Sequence, residues 1–279
     1  MTKHIVLCAD DYGQAPAISQ GIVVLINMGR LSAVSCLVTS PYWPEHASWL
    51  IPFRSAVDVG LHVNLTEGKP LSKPFMRAYG HQFPTLSTLM RQAFLGQLDQ
   101  AVLEAEIEAQ LNAFVDAMGA LPDFVDGHQH VHQFPTVRHA LLNVYERRLR
   151  DSRAYIRLVN PPMQWSDWLS KKAVIVASGT RALERLLKKR HIPYNQSFSG
   201  IYGFDKAAYR PLFKQFLQEV GDKGIIMCHP AFLRRPETVT EEAKLTSDPI
   251  AKARLMEYQY LTGDHFLEDC WGVRLSRWR

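Results

Sequence analysis

The residues best suited to chemistry lie in one short run, Asp126-Gly127-His128-Gln129-His130-Val131-His132, which follows the approach Asp123-Phe124-Val125. Three imidazoles and a carboxylate within seven residues exceed what 11 histidines spread over 279 positions would give by chance. Neutral imidazole is the commonest side-chain metal ligand, so a metal centre is the first chemistry to expect. If the run continues as a strand, alternation puts His128, His130 and His132 on one side of it. Taken singly, each histidine is as readily a satisfied core residue or a polar loop residue as a ligand. Residues this close in sequence seldom supply every ligand of a catalytic ion, which gathers its donors from several elements.

Further donors are therefore sought elsewhere, and they fall at regular places. Asp10 and Asp11 follow the apolar run Ile5 to Ala9, and His62 closes the run that begins at Ala56. Arg157 lies at the end of Tyr155 to Val159, and His229 follows Gly224 to Cys228. Each ionisable group stands where an apolar strand ends and a loop begins. In a parallel (β/α) barrel those ends converge on one face, the face at which such barrels do their chemistry.

The elements that must position these groups alternate between strand and helix. Apolar runs predict strands over 5–9, 33–38, 56–63, 155–159, 197–204 and 224–227, with a short one near 273–275. Helical spacing predicts helices over 16–28 with Gly29 as C-cap, and over 44–50, 86–95, 98–118, 135–149, 206–220 and 240–262. The stretch from Trp165 to His191 reads as mostly helical and basic. Leu65 to Pro84, rich in glycine, proline and polar residues, reads as a long loop beside a functional site. Strand alternating with helix is the signature of a mostly parallel sheet with crossover helices. No repeat, low-complexity tract or linker interrupts it, so a single α/β domain over 1–279 is expected.

With 47% hydrophobic and 21% charged residues the chain can bury a large core and is not disordered. Its net charge of +5 comes from runs such as Arg147-Arg148-Leu149-Arg150, Lys188-Lys189-Arg190 and the tail from Arg274. Such runs are usually solvated helix faces, and no aromatic-basic motif accompanies them, so nucleic acid is not expected as a partner. Cys8, Cys36, Cys228 and Cys270 are widely separated, which points to reduced thiols in the cytoplasm rather than a disulfide framework. The first apolar run is too short for a signal segment, and no run reaches membrane-spanning length. Neither a phosphate-binding nor a dinucleotide motif is present, and Ser178-Gly179-Thr180 reads as a helix cap rather than a nucleophile.

Four segments, Ala9-Asp10-Asp11-Tyr12-Gly13, Gly60-Leu61-His62-Val63-Asn64-Leu65-Thr66, Asp126 to His132 and Cys228-His229-Pro230, together carry a resemblance. In this order and spacing they resemble the YdjC-like carbohydrate deacetylase family, which includes chitooligosaccharide deacetylases and hopanoid-biosynthesis-associated proteins. The resemblance spans nearly the whole chain. It implies a distorted (β/α) TIM-like barrel that binds one divalent ion and removes acetyl groups from N-acetylated sugars. By motif, Asp11, His62 and His128 would be the metal ligands, Asp10 the general base and His229 the general acid. Arg157 resembles the arginine that orients the base in related deacetylases. His130 and His132 carry no ligand role in the resemblance and would support the site or contact substrate. Magnesium is the ion it implies.

The chemistry of the residues is compatible with that scheme. Two imidazoles and one carboxylate leave coordination positions open for water and an amide carbonyl. Such a set suits zinc, with manganese, cobalt or magnesium as alternatives. Tyr12, Trp165, Trp168, Tyr202 and Phe204 are candidates to stack on sugar faces, although core or rim packing is the commoner use of such rings. Two further readings stay open: hydrolysis of another bond such as a phosphoester, and sugar binding without catalysis. The oligomeric state is not written in the sequence, and a homodimer is left open.

Overall fold

The computed structural model describes residues 2–162, 171–204, 208–232 and 248–278. At its centre lies β1 (Lys3–Tyr12), buried from Ile5 onward. A strand covered on both faces must be apolar throughout, which is why Ile5 to Ala9 shows no alternation. The other strands are β2 (Ala33–Cys36), β3 (Asp58–Val63), β4 (Phe124–Gly127), β5 (Tyr155–Ile156), β6 (Phe198–Ser199), β7 (Gly224–Cys228) and β8 (Val273–Leu275). They run in the order β5-β4-β3-β2-β1-β7-β6, with β8 beside the start of β1. Every pairing is parallel. The sheet curls into a half-barrel. A bridge between Ile156 and Tyr194, just ahead of β6, ties its two edges.

The helices are α1 (Pro16–Asn27), α2 (Trp43–Leu50), α3 (Lys73–Tyr79), α4 (Leu86–Phe94), α5 (Gln100–Met118) and α6 (Val137–Arg148). There follow α7 (Lys171–Ile175), α8 (Arg181–Arg190), α9 (Tyr209–Glu219), α10 (Ala251–Thr262) and α11 (Asp264–Asp269). Local chemistry sets their ends. Asp99 accepts the Ala101 and Val102 N–H groups at the start of α5, and Gly119 at φ 66° stops it. No helix among the described residues is long and apolar enough to cross a membrane.

Departures from the expected elements have physical causes. Helix α3 stands inside the stretch read as a long loop: Ser72 accepts the Phe75 N–H, Pro74 lies in the first turn, and one buried residue, Phe75, gives no periodicity to detect. Strand β5 stops at Ile156 because the Asn195 side chain takes over both backbone groups of Leu158, at 2.7 and 2.9 Å. The basic helical stretch is α7 and α8, joined by a π-turn over 176–180 in which Gly179 has φ 143°. Trp165 and Trp168, and the expected helical positions 206–207 and 240–247, lie outside the described residues.

Period-two alternation sorts the strand residues into two layers. Val6, Cys8, Ala33, Phe124, Tyr155, Ile225 and Met227 belong to one apolar cluster, which fills the barrel interior. Ile5, Leu7, Ala9, Val34, Val59, Leu61, Val125, Ile156 and Ile226 belong to the larger cluster shared with the helices. Gly60 sits on the interior register, where a Cβ would fall within 2.5 Å of the Phe124 ring, so glycine here makes room for that ring. Carrying the interior register one step past each strand's apolar residues reaches Asp10, Ser35, His62, Asp126, Arg157 and His229. The polar site is thus the last layer of the barrel core, at the C-terminal ends of the strands.

Candidate metal centre and active site

Asp10 and Asp11 are neighbours, and regular alternation would send one of them out among the helices. Between Ala9 and Tyr12 the pairing of β1 with β2 slips, three steps on β1 matching two on β2. The extra residue is a bulge in which Asp11 takes φ 67°. Asp10 keeps the interior register, Asp11 is turned back toward the same site, and Tyr12 falls among the residues packed on the helices. A non-glycine residue in the left-handed region costs about 1 kcal/mol or more and persists only where the surroundings hold it. Here the Gln14 N–H donates to the Asp11 carbonyl, and the Asp11 side chain has three partners.

Asp11 Oδ1 lies 2.9 Å from His128 Nδ1 and 3.4 Å from His62 Nε2. One donor atom from each of Asp11, His62 and His128 falls within 4.8 Å of the other two, and all three residues are buried. The outer oxygen, Oδ2, accepts from Arg254 of α10 at 2.7 Å. His62 Nδ1 lies 2.6 Å from Asp126 Oδ1, which also accepts from Ser35 at 2.6 Å. With Nδ1 donating to Asp126, His62 points Nε2 toward Asp11, and loss of the Nε2 proton would offer that lone pair to a cation, the arrangement by which outer carboxylates orient histidine ligands. This donor set and its support fit a divalent cation.

Asp10 forms the other half of the site. Arg157, fully buried, grips both its oxygens at 2.6 and 2.7 Å, places Nε 2.9 Å from Asp126 Oδ2, and lies over the Phe198 ring at 5.6 Å. Such a fork fixes the carboxylate plane as a lysine could not.

The buried charges explain the site's electrostatics. Among the described residues, the buried carboxylates Asp10, Asp11 and Asp126 are met by two buried guanidiniums, Arg157 and Arg254, which leaves this group with an excess of one negative charge when the imidazoles are neutral. Burial opposes the ionised form of Asp11, but Arg254 and His128 hold its carboxyl well below the usual range. Burial likewise opposes ionisation of Asp126, which Arg157 and His62 outweigh. Burial would depress both imidazoles, yet Asp126 and Asp11 carry His62 up to about 10, and Asp11 and Glu67 carry His128 up to about 9. The pocket therefore draws cations, and a metal ion would take the place of those protons.

The remaining expected residues are distributed differently. The histidine run is not a strand: β4 ends at Gly127, and 128–133 form a 3₁₀ turn with Gln129 at φ 53° and His130 at φ 62°. The three imidazoles consequently diverge. His132, fully buried and pushed by burial down to about 4, donates from Nε2 to the Arg157 carbonyl at 2.9 Å. Gly127 lets that turn fold back, since a Cβ there would fall 2.9 Å from His132 N and Nδ1. His130 stands edge-on to Phe198. Tyr12 is fully buried and donates to the His46 carbonyl at 2.6 Å, and Tyr202 is packed against Phe204, Tyr209 and Phe216. The bulge at Asp11 turns Tyr12 away from the site, while Tyr202 is nearly buried with its hydroxyl on Glu257.

His229 directly follows β7, is partly exposed, and meets the Phe204 ring edge-on at 5.3 Å. It belongs to neither ligand cluster. The structure gives a place to Asp126, which the sequence counted in the histidine run but assigned no task, and adds partners it did not single out: Ser35, Arg254, Glu257 and Glu67, whose Oε1 lies 3.1 Å from His128 Nε2. Asp126 and Ser35 were readable from register alone.

A family model described as YdjC-like protein matches residues 4–270. A carbohydrate deacetylase of Danio rerio is 35% identical over 147 residues, 50% of this chain and 45% of that protein. The matched stretch thus spans less than half the length of that relative. A chitooligosaccharide deacetylase of Yersinia pestis (strain Pestoides F) is 27% identical over 299 residues, 97% of this chain and 100% of that protein. An Enterococcus faecalis V583 protein assigned provisionally to cellobiose-phosphate cleavage has a crystal structure with the same fold. Its TM-score is 0.76 at 22% identity, over 100% of this chain and 98% of that chain.

Proposed function

The chain belongs to the YdjC-like protein family, and from that premise we propose that it is a metal-dependent carbohydrate N-deacetylase. It hydrolyses the acetamido group of an N-acetylated sugar or oligosaccharide, releasing acetate and the free amine. The observation that carries this reading is the meeting of Asp11, His62 and His128 beside an Asp10 gripped by Arg157. The names of the Danio and Yersinia relatives support the substrate class.

In this reading Asp11, His62 and His128 hold one divalent ion, which supplies polarisation of the amide carbonyl and acidification of water. The family resemblance implies magnesium; two imidazoles in the donor set favour a transition ion such as zinc. Asp10 accepts the proton of the attacking water, its oxygens oriented by Arg157 and still bearing free lone pairs. His229 delivers a proton to the leaving nitrogen as the carbon–nitrogen bond breaks, a task suited to a group that titrates near neutrality. Asp126 holds His62 in one tautomer and Arg157 in one plane, so a single carboxylate aligns both halves of the site. We further take residues 1–279 to act as one domain, in the cytoplasm, where the four free cysteines are at home.

Metal analysis of the purified protein, followed by acetate assays on N-acetylglucosamine oligomers with and without chelator, tests the reading. Asp10→Asn is expected to keep its metal and lose about 10²–10⁴-fold in acetate release. Aryl phosphate turnover without acetate release on the same preparation would overturn it, as would wild-type rates from Asp10→Asn.

A further inference from the structure

The proton donor of the proposed reaction sits on the first residue after a strand, where the backbone has no ladder to hold it. Beyond Cys228 the β7 pairing has ended, and His229 enters a loop. One hold on it comes from α10, near the far end of the chain. Glu257 is fully buried, and its Oε2 accepts the His229 backbone N–H. Its Oε1 accepts the Tyr202 hydroxyl at 2.5 Å. Tyr202 in turn packs on Phe204, at 4.6 Å between ring centroids, and it is Phe204 that lies edge-on against the His229 imidazole. One carboxylate therefore joins the backbone of His229 to the segment that walls its ring.

Burying a carboxylate is costly, and burial pushes Glu257 up to about 7 despite its two hydrogen bonds. A backbone N–H at this place could be satisfied by an ordinary polar side chain or by water. A carboxylate aimed at two donors from different segments does more, because it fixes the distance between them. We propose that Glu257 is a positioning residue for leaving-group protonation: through the His229 N–H and Tyr202 it holds the His229 imidazole where the departing nitrogen must be met. This rests on the deacetylase reading and on His229 as its proton donor.

The test uses two substrates on the metal-loaded enzyme, an N-acetylglucosamine oligomer, whose amine must be protonated to leave, and 4-nitrophenyl acetate, whose phenolate leaves without it. Glu257→Leu removes both acceptors. It should lower kcat on the acetamide roughly 10–100-fold, part of what general acid catalysis is worth, with KM and metal content unchanged and the ester rate within about threefold of wild type. Glu257→Gln should restore the acetamide rate, since its carbonyl can accept from His229 and its amide can donate to the Tyr202 oxygen. Equal losses on both substrates, or an unchanged acetamide rate in Glu257→Leu, would overturn the inference. If Glu257→Leu gives no folded protein, Tyr202→Phe takes its place: an acetamide-specific loss supports the inference, and an unchanged acetamide rate or equal losses on both substrates refute it. A wild-type enzyme inactive on the acetamide would instead defeat the deacetylase reading, and this inference with it.

Discussion

Asp126→Asn is the most informative single change, because Asp126 touches both halves of the site without being assigned to either reaction role. Its Oδ1 accepts from Ser35 and meets His62 Nδ1, each at 2.6 Å, while Oδ2 faces Arg157 Nε at 2.9 Å. Asparagine keeps the shape but offers one acceptor and one donor group. If its oxygen serves His62 and Ser35, its NH₂ opposes the Arg157 Nε–H; flipped, it opposes His62. One buried donor is left facing another in either case, at a cost of about 1–3 kcal/mol in fold stability. His62 also loses its anionic partner and becomes a poorer donor to the ion. Losing an outer carboxylate of this kind typically weakens metal binding 10–100-fold, roughly 1.4–2.7 kcal/mol. Competition between ion-free protein and a chromophoric chelator at fixed pH reads the affinity, and a denaturant melt reads the stability. Ser35→Ala, which removes one hydroxyl donor to Asp126 but leaves the carboxylate on His62, is the control and should weaken affinity far less than Asp126→Asn. An Asp126→Asn protein that binds metal within twofold of wild type would refute the claim that this carboxylate sets the His62 ligand.

Arg157→Lys cannot reproduce the fork on Asp10, and a base misplaced by about 1 Å is expected to lower acetate release roughly 100-fold with metal content intact; an activity assay beside metal analysis checks both. Arg157→Met leaves Asp10 and Asp126 buried without their cation and should cost about 3–5 kcal/mol in a denaturant melt. His132→Phe, which removes the donor to the Arg157 carbonyl, should cost about 1–3 kcal/mol with no change in metal stoichiometry. Glu257 has a pH signature: its folded pKa of about 7 lies above the ordinary 4.5, so protonation stabilises the fold, fully below pH 4.5, and that stability is lost as pH rises through 7. Tyr202, the His229 N–H, Arg254 and Asp10 are the groups acting on it. Glu257→Gln lacks this dependence, so its stability relative to wild type should improve by on the order of 3 kcal/mol from pH 5 to pH 8; parallel curves for the two proteins would contradict it.

Much of the architecture was legible because a parallel sheet writes itself plainly. Fully buried strands such as Ile5 to Ala9 have few alternatives, and α5 carries Leu103, Ile107, Leu111 and Phe114 on one buried face with a capping aspartate before it. What was not legible depends on partners far away in the chain. Strand β5 ends early because of Asn195, 37 residues beyond Leu158, and nothing local to Tyr155 reveals that. Helix α3 is fixed partly by Glu106 on α5, which accepts the Leu71 and Ser72 N–H groups, so its own seven residues hold only part of the reason it forms.

The site divides in the same way. That the ionisable groups stand at strand ends was visible, and register could have added Asp126 and Ser35, since both share the interior parity of His62 and Arg157. Alternation misleads at two places, and in both the backbone leaves the extended region. At 128–133 it turns through left-handed residues, so three imidazoles that would line one face of a strand separate into a candidate ligand, a Phe198 neighbour and a support for Arg157. At Asp11 the bulge does the opposite and brings two adjacent carboxylates to one site. Adjacent aspartates in an unbroken strand would lie on opposite faces, one in the barrel and one under the helices. Separate tasks for Asp10 and Asp11, one beside Arg157 and one beside the imidazoles, therefore depend on one inserted residue. Deleting Asp11 is expected to restore regular β1–β2 pairing and abolish metal binding, with Asp10 still gripped by Arg157. Stoichiometric metal in that deletion protein would mean that the ion is held by the other cluster, Asp10, His62 and Asp126.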